Sequence, residues 1–415
     1  MIERLLIKDL TKWAKDTKHK PLVLRGSRQV GKTTLVNEFA KSFSTYIYLN
    51  LEIPEQQQVF KKSKNFKELL DAIFFMSDKS RNAGKTLVFI DEIQNSPEAI
   101  QYLRYFYEDA PDLFVIAAGS LLESMLNRHI SFPVGRVDYL AVRPCSFIEY
   151  LLAIKETKAA DLIKTGKIPD FAHDKLVSLF RHYTLIGGMP EIVAQYAQTG
   201  DLVSLNNIFQ GLLAGFNDDV EKYAQNKSEV QYIRHIIKSG FAYTGQRIKF
   251  EKFGGSDYRS REMGEAFRTL EKTMLLELLY PVTSVKLPIQ PNFRKSPRLH
   301  WLDTGLVNYA AGVQHEVFNA EQISDAWNGV IAEQITGQEI FASVTDVLSK
   351  KYFWTREERN STAEVDFIYP FEGLLIPIEV KSGESGKLRS LHLYMDVCKH
   401  KIAVRIWQGK YLVNN

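Results

Sequence analysis

Cysteine is nearly missing from this chain. Cys145 and Cys398 are the only two among 415 residues, and neither stands in a metal-type or redox-type spacing. Zinc fingers and a disulfide scaffold are excluded on that ground, and a reducing cytoplasm is the expected compartment. Long apolar runs are lacking as well. The longest uncharged stretches, such as Leu113–Leu122, fall far short of the ~20 residues that span a bilayer, so no membrane partner is expected. The N-terminal MIERLLIKDLTKW carries charges through its apolar stretch and has no signal-peptide core or small-residue cleavage site. No repeat of fixed period and no low-complexity tract occurs. Nor does one sign of charge dominate: the net charge is +4, with 45% hydrophobic and 25% charged residues. That balance belongs to a globular protein and excludes a disordered or collagen-like chain. At roughly 100–200 residues per domain, the length predicts two to four domains.

The charge that is present is unevenly placed. Between Tyr243 and His300 lie eleven Lys/Arg against six Asp/Glu, a local +5 that leaves the rest of the chain at −1. A basic excess beside a near-neutral body suits a polyanion contact or a solvated helix face. Within it, RSREMGEAFRTLEK (259–272) has helical spacing, with Met263, Phe267 and Leu270 on one face and Arg261 and Arg268 free to lie opposite. An extended, Pro-punctuated stretch follows with Arg294, Lys295 and Arg298, compatible with a recognition helix and a basic wing, or with a purely structural winged helix.

Residues 21–51 read strand–loop–helix–strand, and the loop is Gly26-Ser27-Arg28-Gln29-Val30-Gly31-Lys32-Thr33, followed by Thr34. It fits G-x-x-x-x-G-K-[ST] at every position, in the strand-to-helix context that the chemistry requires. The glycines let the backbone wrap and aim N–H groups at phosphates, and the helix start adds its positive end. Lys32 is expected to reach the β/γ oxygens of ATP and Thr33 to sit on Mg²⁺.

The second half of a nucleotide site follows. In Leu87-Val88-Phe89-Ile90-Asp91-Glu92, four apolar residues bury a strand and leave two carboxylates at its C-terminal end, where open parallel sheets bind ligands. Asp91 is expected on the Mg²⁺, and Glu92 as the group that orients or deprotonates the attacking water. Glu92 favours ATP hydrolysis that drives conformational change over phosphate transfer to a small molecule. Ser120, at the end of the strand FVIAAGS, is a candidate γ-phosphate contact, and Arg136 a candidate arginine finger, in cis or across a subunit interface. Unbroken apolar strands alternating with helices predict a parallel sheet covered on both faces.

From about 326 the pattern becomes a helix and then strands: YFWTR, AEVDFIYP, LLIPIEVKS, a helix near 387–398, and KIAVRIW. Asp366 in one strand and Ile378-Glu379-Val380-Lys381 in the next form a D…ExK arrangement, with Glu379 and Lys381 on one face by period-2 alternation. Two carboxylates on adjacent strands are candidates for Mg²⁺, and Lys381 for positioning water. Asp303-Thr304 suits a helix cap.

The order GSRQVGKTT, LVFIDEIQ, VIAAGS, VGRV and PCSFIEYL resembles prokaryotic AAA+-superfamily ATPases with a GxRQxGKT phosphate loop, in the branch related to archaeal and STAND-type ATPases. YTLIGGMPEIV, RLHWLDTGLVNYAAG, AEVDFIYP and LLIPIEVKSG resemble the C-terminal domain of unknown function that usually follows this ATPase. The resemblance implies an α/β protein: a P-loop NTPase domain (residues 1–155), a helical and winged-helix-like middle (156–310) and a restriction-endonuclease-like PD-(D/E)xK domain (311–415). It also implies a helix Glu completing the nuclease metal site, carried here by Glu333. No sensor-2 Arg is evident in a helical lid, a departure from many AAA+ proteins that puts the usual lid mechanism and a hexameric ring in doubt. Two functions stand open. One is an ATPase coupled to a metal-dependent nuclease acting on DNA or RNA. The other is a nucleotide-dependent switch or scaffold, with a protein partner or a second copy, whose C-terminal domain only binds.

Overall fold

A computed structural model describes residues 2–81, 84–119, 133–313, 325–358, 361–381 and 388–412. The chain divides into two compact units, Glu3–Arg143 with Val344–Val347, and Pro144–Ser343 with Leu348–Asn415 and Met1–Ile2.

The first unit is built on five strands: β1 (Leu22–Arg25), β2 (Thr45–Asn50), β3 (Thr86–Asp91), β4 (Phe114–Gly119) and β5 (Asp138–Ala141). Their order is β2-β3-β4-β1-β5, and every pairing is parallel. β3 is buried along its whole length, as an unbroken apolar run in a sheet covered on both faces requires. Val23, Ile47, Val88, Ile90 and Val115 from the strands pack with Ile73, Leu103 and Phe106 from helices. The helix Lys32–Ala40 follows β1 directly. The helix Pro97–Asp109 starts as its sequence dictates: the Ser96 side chain accepts the Ala99 N–H, and Pro97 occupies the first turn. Register places Arg25 beside Gly119 and Asn50 beside Asp91, so the loop after β1 and the carboxylates after β3 share the C-terminal edge. β5 is a four-residue strand with two exposed residues, too short and too polar to announce itself in the sequence. Its Ala141 N–H donates to Thr345 O at 2.8 Å.

The second unit begins with helices, among them Phe147–Ala153, His173–Ile186, Pro190–Thr199, Asn206–Asp218, Lys227–Ser239 and Ser260–Lys272. The Gly-Gly-Met-Pro break falls where expected. Gly187 takes φ +76°, and a Cβ on Gly188 would lie 2.1 Å from the Cys145 carbonyl oxygen, so neither position has room for a side chain. Asp303 caps the helix Thr304–Ala310 by accepting the Leu306 N–H. On Ser260–Lys272 the expected apolar face is buried, with Met263, Phe267 and Leu270 in the core and Arg261 and Arg268 exposed.

Six strands form the second unit's sheet: β6 (Leu276–Val282), β7 (Arg298–Trp301), β8 (Tyr352–Glu358), β9 (Ser361–Phe371), β10 (Leu374–Val380) and β11 (Val404–Ile406). Their order is β11-β10-β9-β8-β6-β7. β6 pairs parallel with β8, Tyr280 against Tyr352 and Val282 against Trp354, so the sheet runs across the boundary expected at 310/311. Apolar strands from both sides of that point need one another as neighbours, and the fold joins them. The boundary expected at 155 likewise lies twelve residues beyond the division at Arg143–Pro144. β9 turns into β10 through Glu372 and Gly373, both with positive φ (46° and 80°), the backbone of a two-residue hairpin matched to strand twist. KIAVRIW narrows to the short β11. The helix Asp325–Ala342 contributes Ile331 and Ile335 to the core.

Candidate functional site

The phosphate loop runs from Gly26 to Gly31 between β1 and the helix Lys32–Ala40. A Cβ on Gly26 would lie 2.4 Å from Val142 O, so the residue type is imposed by backbone against backbone. Gln29 (φ 64°) and Gly31 (φ 85°) adopt left-handed conformations that turn the chain over itself. Ser27 and Val30 are buried, Arg28 is half-buried, and Gln29 and Thr34 are exposed. Arg4, a residue that the motif does not reveal, donates to Val30 O (3.0 Å) and Arg143 O (2.6 Å) and so braces the loop.

Lys32 is only 7% exposed, and its Nζ donates to the carbonyls of Gly26 (3.0 Å) and Ser27 (2.8 Å). Burial lowers its pKa to about 8, against the pull of Glu92 and Asp91. Thr33 Oγ1 donates to Asp91 Oδ2 at 2.6 Å, tying the loop's helix to the end of β3. Tyr48, from β2, donates to the same oxygen at 3.3 Å. Burial raises the Asp91 carboxyl, partly offset by the Thr33 hydrogen bond. Burial and Asp91 together push the Tyr48 phenol up to about 12. Glu92 holds a left-handed backbone (φ 51°), and its Oε2 accepts from Gln94 Nε2. Such a conformation in a residue with a side chain stores strain, and it aims Glu92 away from the strand's own direction. Lys32, Thr33, Asp91 and Glu92 therefore converge at one sheet edge, with oxygen donors suited to a nucleotide's Mg²⁺ on the Thr33–Asp91 side and an ammonium on the other.

Ser120 lies outside the described residues. Arg136 is half-exposed on the surface, where its Nε pairs with Glu108 Oε1 at 3.1 Å. Glu108 is shared with Arg104 (2.9 Å).

The carboxylates of the second unit also meet. Antiparallel pairing of β9 with β10 sets Phe367 against Ile378, which brings Asp366 beside Glu379. Asp366 Oδ2 accepts the Val380 N–H at 2.9 Å. Lys381 Nζ binds Glu379 Oε1 at 2.6 Å. Glu333, on the helix Asp325–Ala342, reaches the same group through a residue not expected there. Arg298 of β7 is 8% exposed, and its Nη1 contacts Glu333 Oε2 (3.2 Å) and Asp366 Oδ1 (3.3 Å). Its Nη2 contacts Glu364 Oε2 (2.7 Å), whose other oxygen pairs with Arg247 (3.0 Å). Arg298 is thus not part of an exposed basic wing; Arg294 and Lys295, in the loop before it, are exposed. Burial, and after it Asp366, raises the Glu333 pKa to about 7, with Arg298 and Lys381 opposing. Burial and Asp366 raise Glu379 in the same way. Among the described residues no group of three or more His, Cys, Asp or Glu side chains is placed to hold a metal ion. The expected Mg²⁺ set of Asp366 and Glu379 therefore does not fit a divalent ion while the guanidinium stands among these carboxylates.

Comparison with known proteins separates the parts. The chain is 22% identical over 409 residues to an uncharacterized protein of Methanocaldococcus jannaschii, covering 93% of this chain and 80% of that protein. A Walker-type ATPase of Pyrococcus abyssi superposes with a TM-score of 0.49 at 17% identity, covering 75% of this chain and 96% of that one. A STAND protein with a tetratricopeptide repeat sensor from Pyrococcus horikoshii gives a TM-score of 0.30 at 13% identity, covering 83% of this chain and 46% of that one. Residues 177–317 and 328–415 match two family models, each described as a domain of unknown function. Residues 18–151 match the model of an AAA domain, and with the phosphate loop and the end of β3 inside that span, this part of the chain is an ATPase-like AAA domain.

Proposed function

We propose that the protein binds ATP with Mg²⁺ and hydrolyses it as a nucleotide-dependent switch. The observation that carries this reading is the Thr33–Asp91 hydrogen bond, which holds the two halves of the site in mutual reach. The N–H groups of the loop from Gly26 to Thr34 cradle the phosphates, with the helix N-terminus behind them. Lys32 exchanges its two carbonyl partners for the β/γ oxygens, and the incoming negative charge raises its pKa from about 8. Thr33 and Asp91 would hold the Mg²⁺, which neutralises charge on the phosphates. Glu92 turns from Gln94 to orient the attacking water and accept its proton. Gln94 so becomes the resting partner of the base.

Cleavage of nucleic acid by Glu333, Asp366, Glu379 and Lys381 would need a divalent ion where Arg298 now stands, which favours a binding role for the C-terminal part. The exposed Arg261, Arg268, Arg294 and Lys295 support a polyanion such as DNA or RNA as one class of partner.

A fluorescent ATP analogue and a phosphate-release assay test the nucleotide reading. Lys32→Ala should lose nucleotide binding. Glu92→Gln should keep it while turnover falls by about a hundredfold or more, the usual contribution of a positioned base. Turnover at the wild-type rate in Glu92→Gln would overturn the role given to Glu92, and unchanged binding in Lys32→Ala the role of the loop.

A further inference from the structure

We propose that Arg298 is the resident cation of the Glu333–Glu364–Asp366–Glu379 cluster, taking the place of a divalent metal and keeping the cluster metal-free. The inference stands apart from the nucleotide reading, because it concerns the second unit alone.

Four observations carry it. The guanidinium is central: one nitrogen spans Glu333 and Asp366, two of the carboxylates expected to share a metal, while the other takes Glu364. It is fixed: Arg298 belongs to β7, paired there against Leu279 of β6, and its head stacks on the Phe353 ring at 4.7 Å. The Arg247 head lies over the same ring at 4.9 Å. The cluster is nearly balanced by side chains alone, four carboxylates meeting Arg298, Arg247 and Lys381. Finally, Lys381 holds one oxygen of Glu379 while the other, Oε2, is buried without a hydrogen-bond partner, which makes it the oxygen first offered to a cation once the guanidinium is gone.

A Mg²⁺ or Mn²⁺ ion needs several oxygens at about 2.0–2.2 Å in near-octahedral array. Drawing Glu333 and Asp366 onto such an ion would expel the Arg298 nitrogen between them and leave a guanidinium buried without its partners. Breaking a buried ion pair in that way is strongly unfavourable. Arg298 therefore excludes the metal by occupying its charge and its space together. Removing the guanidinium charge should invert the preference, since the carboxylates would then repel one another until a cation entered.

The test is Mn²⁺ titration of the full chain without nucleotide, by calorimetry and by electron paramagnetic resonance. Wild type and Glu379→Ala should give the same isotherm. Arg298→Gln and Arg298→Ala should each gain a saturable site, about tenfold or more tighter than any wild-type binding, as release of a buried counter-ion implies. The gain should vanish when Glu379→Ala is added, and Arg298→Lys should remain metal-free. A wild-type Mn²⁺ site that Glu379→Ala abolishes would overturn the proposal. So would a folded Arg298→Gln protein, checked by circular dichroism, that gains nothing. If neither neutral variant folds, the wild-type and Glu379→Ala pair decides alone: equal isotherms support the proposal and a lost site refutes it.

Discussion

Gly26 shows how far a single residue can dictate a site. Its α-carbon faces the Val142 carbonyl so closely that one methyl group would lie 2.4 Å from that oxygen. Gly26→Ala should therefore shift the loop, lower stability by about 1–3 kcal/mol as overpacking does, and weaken nucleotide binding more than stability. Denaturant unfolding and analogue binding measure the two effects separately, and unchanged affinity would show that the loop tolerates the shift. Such residues were legible because the phosphate loop is contiguous: its chemistry is written in eight neighbouring positions. Arg298 was not. Its partners stand 35, 66 and 68 residues away, and only the sheet brings them together. In the sequence it read as one more cation in a basic stretch, and nothing local distinguishes a buried guanidinium from a solvated one. Tyr48 and Gln94, which hold Asp91 and Glu92, were invisible for a related reason, since a strand tyrosine and a loop glutamine carry no motif.

At the scale of elements, the strong local signals translated directly. Ser96-Pro97 opens a helix, β3 is wholly buried, and the amphipathic stretch from 260 to 272 hides its apolar face. Ser96 is fully buried, and its hydroxyl both accepts the Ala99 N–H (3.2 Å) and donates to Glu98 (3.0 Å). Ser96→Ala should lower stability by about 1 kcal/mol, the usual worth of an N-cap, seen as a lower denaturation midpoint with an unchanged slope. A loss well under that figure would mean that the helix start is held by packing alone. Where elements depend on distant neighbours, the sequence is mute. β5 is defined by its pairing with β1, and β6 joins the C-terminal strands through β8, on the far side of the boundary at 310/311 that the resemblance implied.

Over the molecule as a whole, buried acids in the second unit couple stability to pH. Glu339 accepts from Tyr183 (2.6 Å) and from the Phe147 N–H (3.1 Å), and burial raises its pKa to about 7 despite both. Asp303 accepts from Gly188 N–H (2.6 Å) and Gln338, and burial raises it to about 6. Both folded values lie above the ordinary carboxylate range, so the native state holds protons that the unfolded chain releases. Their contribution is complete below the unfolded pKa and is lost as pH rises through 6 and then 7. Stability should accordingly fall from about pH 4, the ordinary carboxylate value, and level off above about pH 7, and Glu339→Gln, which keeps a neutral hydrogen-bonding group, should flatten that fall. Thermal midpoints across the range check it; an equally steep fall in the variant would place the titrating groups elsewhere.

Because Val344–Val347 belongs with the first unit while the residues on either side belong with the second, the first unit is made of two stretches of chain separated by the run from Pro144 to Ser343. A fragment stopping at Arg143 would leave the Ala141 amide without the Thr345 carbonyl and would not be the nucleotide-binding unit in full.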